Sequence, residues 1–139
     1  MRPLAIVAAV LLIASAAPVT AHASEPAAPR NTGISGTWIG TQKGFENGTF
    51  VSRQVRYTIA KTKGAALTGT KSWRDAGGTW SSPVPFQGVL LASGEFNAVD
   101  DDGYIFGELV TPTRIRGTYM EAGEDQAVYL QDLRKATRS

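Results

Sequence analysis

The chain has 139 residues, with 14 Lys and Arg against 12 Asp and Glu, one histidine and no cysteine. Its length and near-balanced charge describe one modest domain and exclude a multi-domain reading. Lack of cysteine excludes disulfide staples and thiolate nucleophiles, and because the only histidine is His22, in the leader read below, a mature chain without it has no imidazole for His-based triads or His/Cys zinc centres.

In chain order, Arg2 precedes an apolar run over residues 4–17, followed by Pro18 and the triplet Ala21-His22-Ala23. A charged start, a short greasy middle and a small-residue exit predict a secretory signal peptide over residues 1–23, cleaved after Ala23. The run falls short of the roughly 20 residues that span a bilayer, so no integral membrane segment is expected. The expectation is a secreted or periplasmic protein, with no nucleic-acid partner. Cleavage also removes the only histidine, His22. Residues 24–33, with two prolines and no large apolar side chain, read as a flexible N-terminal lead. Residues 34–135 read as the folded domain and 136–139 as a tail.

From Gly36 onward the pattern has period two. Val55, Tyr57 and Ile59 alternate with Gln54, Arg56 and Thr58, the mark of a strand with one face in a core and the other in water. Eight strands are predicted: 36–42, one around 55–59, 66–73, 84–91, 95–99, 104–110, 114–119 and 127–133. Asp100-Asp101-Asp102-Gly103 supplies the strongest turn between them. The fold class is therefore all-β, an eight-stranded antiparallel up-and-down barrel, because sequential hairpins that close leave no exposed edge. Gly-Thr pairs at Gly36-Thr37, Gly48-Thr49, Gly69-Thr70, Gly78-Thr79 and Gly117-Thr118 suit tightly curved strands. The predicted interior contains Val55, Tyr57, Ile59, Leu67, Phe86, Phe106, Ile115 and Tyr119.

The stretch Thr32-Gly33-Ile34-Ser35-Gly36-Thr37-Trp38 resembles the opening strand of avidin and streptavidin, and its Gly-x-Trp resembles the lipocalin first-strand motif. Ala66-Leu67-Thr68-Gly69-Thr70 is similar to a later avidin strand. Both families are calycin-type barrels that hold small molecules in the barrel mouth, so the resemblance implies such a barrel here. It also implies that Trp38 closes one end, with an arginine after the last strand, Arg134, crossing its ring. Asp132 stands where avidins keep an acidic partner for their ligand. Positions matching the neutral polar groups that hold biotin are Gly40, Gly44 and Lys71, so the resemblance does not extend to biotin itself.

Four groups of residues are candidates for a site. Trp73 and Trp80 flank a glycine-rich loop and are expected at the mouth, where aromatic faces could stack on a ligand. With Tyr57, Phe86, Phe106, Tyr119 and Asp132 they form the expected ligand-binding set. Asp100, Asp101 and Asp102 lack the alternating oxygen ligands of a calcium loop and read as a solvated turn, so no metal and no cofactor is expected. No carboxylate pair among Asp75, Glu95, Glu108 and Asp132 stands out for hydrolysis, and a binding protein is expected rather than an enzyme. Arg53, Arg56, Lys61, Lys63, Lys71 and Arg74 form a basic half that could meet an anionic ligand or surface but reads chiefly as the wet face of amphipathic strands. The resulting expectation is an exported barrel holding a small, partly apolar molecule. If bulky aromatics fill the interior, the alternative is a solid barrel acting by surface contacts as an inhibitor or adaptor of another secreted protein.

Overall fold

The computed structural model describes residues 34–61 and 64–137. The expected signal peptide, the whole of the expected lead and the last two residues of the expected tail lie outside the described residues. Eight strands follow one another: β1 (Gly36–Glu46), β2 (Thr49–Lys61), β3 (Ala66–Arg74), β4 (Val84–Leu90), β5 (Glu95–Val99), β6 (Gly103–Thr111), β7 (Arg114–Glu121) and β8 (Ala127–Lys135). Each pairs antiparallel with the next, and β8 returns to β1, with Trp38 opposite Lys135 and Glu46 opposite Ala127. The sheet is thus a closed up-and-down barrel without an edge. No helix among the described residues is long and apolar enough to cross a membrane.

The first hairpin is longer than the sequence pattern predicted. Asn47 and Gly48 both take positive φ, 47° and 78°, the arrangement a two-residue mirror-image turn requires, so β1 runs four residues beyond Gln42. At the closing seam, Gly40 and Gly44 face inward beneath β8. A Cβ on either would overlap the backbone carbonyl of Asp132 or Val128. These two glycines let β8 come close enough to close the sheet.

Alternation sets the interior. Trp38, Val55, Tyr57, Ile59, Leu67, Phe86, Leu90, Phe96, Ile105, Ile115 and Leu133 are all buried in one cluster. Aromatic rings fill the space left by inward-facing glycines on neighbouring strands: Phe86 lies opposite Gly69 and Phe96 opposite Gly107. Phe106 is a correction to the predicted interior. It points outward, 43% exposed, stacked on Tyr104 at 6.4 Å. On β6 it is Gly103, Ile105, Gly107 and Leu109 that face the core, since Phe96 needs the room at Gly107.

A candidate binding cavity at the open end of the barrel

The two ends of the barrel differ. At the first, Trp38 is fully buried, its indole Nε1 donates to the Ile34 carbonyl at 2.7 Å, and Lys135 Nζ lies 5.4 Å from the ring centroid. Arg134, the residue expected over Trp38, is instead exposed on the outer face of β8, between Ile39 and Arg114 in register. The cation has moved one residue along because alternation turns Lys135, and not its neighbour, towards the inside.

The other end is open. Its floor is a buried polar relay in which the Tyr57 hydroxyl donates to Gln131 Oε1 (3.0 Å) and Gln131 Nε2 donates to Gln42 Oε1 (3.1 Å). Tyr57 gains little freedom to ionise there, and burial raises its pKa well beyond the usual tyrosine range. Above this relay lies a cavity of about 180 Å³ lined by Gln42, Glu46, Arg53, Lys71, Trp73, Val84, Asp102, Tyr119, Glu121, Asp125 and Tyr129. Small-molecule pockets for larger ligands run from about 300 Å³ upward, so this space suits a compact ligand.

Charge dominates its walls. Lys71 is buried and ion-paired with Asp100, whose side chain has no exposure, and its Nζ sits 3.6 Å from the Tyr119 ring centroid and 5.5 Å from that of Trp73. Burial lowers the Lys71 pKa, and Asp100 opposes that effect. Asp100 is also the cap of its turn, accepting from the backbone N–H of Asp102 (3.2 Å) and Gly103 (2.8 Å). Arg53 is ion-paired with Glu46, lies 3.5 Å from Asp75 and 5.7 Å from the Tyr129 ring. Tyr119 donates to Glu121 at 3.2 Å, and burial pushes the Glu121 carboxyl above its ordinary range. The rings of Tyr119 and Tyr129 stack at 6.3 Å with an interplanar angle of 15°. Tyr129 Oη and Arg53 Nε are both buried and make no hydrogen bond of ordinary geometry; burial first, and the Glu46 carboxylate against which the hydroxyl lies, raise the Tyr129 pKa to about 12 against the opposing field of Arg53.

Of the ligand-binding set expected from sequence, Trp73 and Tyr119 line this cavity. Tyr57 and Phe86 lie deeper, packed edge to face at 5.6 Å. Phe106 is on the outer surface. Trp80 is also outside: the guanidinium groups of Arg56 and Arg74 stand over its ring at 4.5 and 4.6 Å. Its loop is pinned by paired bonds between Trp73 and Ser81, which direct Trp80 away from the mouth. Asp132 faces outward and takes a two-pronged contact from Arg114, one prong at 3.0 Å, which holds its carboxyl below the usual carboxylate range. It cannot partner a ligand inside the barrel.

The residues sequence reading passed over as site members are Gln42, Glu46, Arg53, Lys71, Glu121 and Tyr129. Their signal was present as parity: Arg53 shares the phase of Val55 and Tyr57, and Lys71 that of Leu67 and Trp73. No protein-family description matches this chain, and no curated protein matches its sequence.

Proposed function

We propose that this is an exported binding protein that holds a compact small molecule in the open end of a calycin-type barrel. The observation that carries the reading is the asymmetry of the interior: one end is filled around Trp38, and the other keeps a cavity walled by aromatic and ionised side chains. Binding would come from apolar contact with Trp73 and Tyr119 and from polar groups fixed in place before the ligand arrives. Export rests on the leader-like order of residues 1–23.

The test is native mass spectrometry of the protein isolated from its own source. A retained small mass that is lost in Trp73→Ala and kept in Trp80→Ala supports the cavity. Retention indifferent to both substitutions, or no retained mass at all, overturns it.

A second reading has its own observation. Phe50, Phe45, Val128, Met120, Tyr104 and Val99 are exposed and stand opposite one another across six successive strands, forming an apolar belt outside the open end. Belts of this kind mark protein contacts, which fits a barrel that inhibits or adapts another secreted protein. Tyr104→Ser with Met120→Ser should then abolish the protein complex while small-molecule retention is unchanged.

A further inference from the structure

Two rows of side chains on the outer wall, across β1, β8, β7 and β6, carry one charge between them. In the first row Phe45, Val128, Met120 and Tyr104 stand opposite one another, and Phe50 of β2 packs edge to face on Phe45 at 5.6 Å. In the second, two residues along each strand, the order is Lys43, Leu130, Thr118 and Phe106. Leu130 is 71% exposed, Phe50 62% and Tyr104 56%. At about 150–250 Å² per aromatic side chain, the four rings leave about 400 Å² in water. With Leu130, Met120 and Val128 the face reaches about 700 Å², above the roughly 300–600 Å² of the largest patch on an ordinary monomer. It approaches the about 800 Å² that each partner contributes to a stable interface of standard size.

Area alone does not name the occupant, but charge does. An unlike partner is selected by complementary charges, and this face offers only Lys43. Two copies of one apolar face need no such pattern, provided that a two-fold axis lays like on like without opposing charges.

We infer that the protein is a symmetric dimer, its two barrels joined through the outer wall of β1, β8, β7 and β6 with the two-fold axis along β8. That axis carries β1 onto β7 and β2 onto β6. Phe45 then meets the partner subunit's Met120, Phe50 meets the partner subunit's Tyr104, and Val128 and Leu130 meet their own counterparts. A groove of about 480 Å³ lined by Tyr104, Met120 and Val128 receives the Phe45–Phe50 pair, once in each direction. Lys43 faces the uncharged Thr118. The dimer goes beyond the cavity reading, which concerns the inside of each barrel, and gives the belt a different occupant from the unlike protein of the second reading.

Sedimentation equilibrium of the isolated protein should show a dimer at micromolar concentration. Leu130→Lys sets two like charges against each other at the axis and should weaken dimerisation at least about 100-fold. Its thermal midpoint as a monomer should match that of the diluted wild type, because Leu130 lies outside the core. The chain has no cysteine of its own, so single cysteines report contact cleanly. Under mild oxidation Leu130→Cys should form an intersubunit disulfide, since a residue on the axis meets its own copy, whereas Gln87→Cys, exposed on β4 away from this face, should remain a thiol. A monomer at every concentration up to about 1 mM overturns the inference. So does a dimer that survives Leu130→Lys, leaves Leu130→Cys unlinked, or links equally through Gln87→Cys. A different protein that accompanies a monomeric chain from the native source, and is lost in Tyr104→Ser with Met120→Ser, also overturns it and leaves the second reading standing.

Discussion

The Trp38 end and the Tyr129 end of this barrel are made by the same alternation on the same eight strands, yet they stabilise the molecule in opposite ways. Around Trp38 the inward positions are apolar or aromatic, and burial there contributes by removing hydrocarbon from water at about 25 cal/mol per Å². Around Tyr129 the inward positions on neighbouring strands include Glu46, Arg53, Lys71 and Glu121. Buried ion pairs of that kind roughly break even against desolvation. One end therefore supplies stability and the other spends some of it on a preorganised polar cavity. Sites commonly sit where that local cost is carried by a well-packed remainder.

The largest effect expected from this contrast is at the sealed end. Trp38→Ala should cost about 3–5 kcal/mol in urea unfolding, since the residue is fully buried and its indole N–H bond to Ile34 is lost with it. Truncating Trp73, half-buried at the mouth, should cost much less. Equal losses at the two positions would mean that the open end is packed as firmly as the closed one, and the cavity reading would lose its basis.

Next in size is the Lys71–Asp100 pair. Asp100→Asn keeps an oxygen able to accept from the turn N–H groups of Asp102 and Gly103 but removes the negative charge. Lys71, buried against Tyr119, then loses its ion-pair partner and keeps only the weaker fields of Glu121 and Asp102, at a cost of about 3 kcal/mol. Adding Lys71→Met should restore most of the loss, because two apolar or neutral groups replace a broken pair. A double-mutant cycle reads the coupling directly; additive losses would show that Lys71 does not depend on Asp100.

The same contrast explains what could be read from residues alone. Strand number, order and closure followed from turn residues and from runs such as Val55-Arg56-Tyr57-Thr58-Ile59, where polarity and parity agree. Phe106 was misplaced because Tyr104, Ile105 and Phe106 are all large and apolar, so either phase looks acceptable; only the need of Phe96 for space at Gly107 decides it. Lys71 and Arg53 were assigned to the wet face because charge outweighs parity in a sequence, whereas in the barrel each has its own carboxylate to make inward burial tolerable. Trp80 had no periodicity to follow. Its place is fixed by the Ser81 contacts and by two arginines brought together from β2 and β3.

The smallest effect separates inside from outside by its dependence on pH. Glu121, facing Tyr119, Asp102, Lys71 and Asp125 in the mouth, has its pKa raised above the usual 4.5, chiefly by burial. The fold therefore favours its protonated form, and its contribution improves as pH falls through the raised pKa towards 4.5, then stays constant. Asp132, on the outer surface beside Arg114, has its pKa lowered below the usual 3.8. Its contribution is present above 3.8 and is lost as pH falls through the lowered value. Glu121→Gln should thus be at least as stable as the wild type at pH 7, with the difference shrinking by pH 4.5. Asp132→Asn should show a slight deficit at pH 7 that disappears only as pH falls below 3.8 and through the lowered pKa, and solvent screening keeps it small. Denaturation midpoints of the three proteins at several pH values measure both trends. If the two variants respond with the same sign, the carboxylates do not occupy the contrasting environments on which the polar cavity depends.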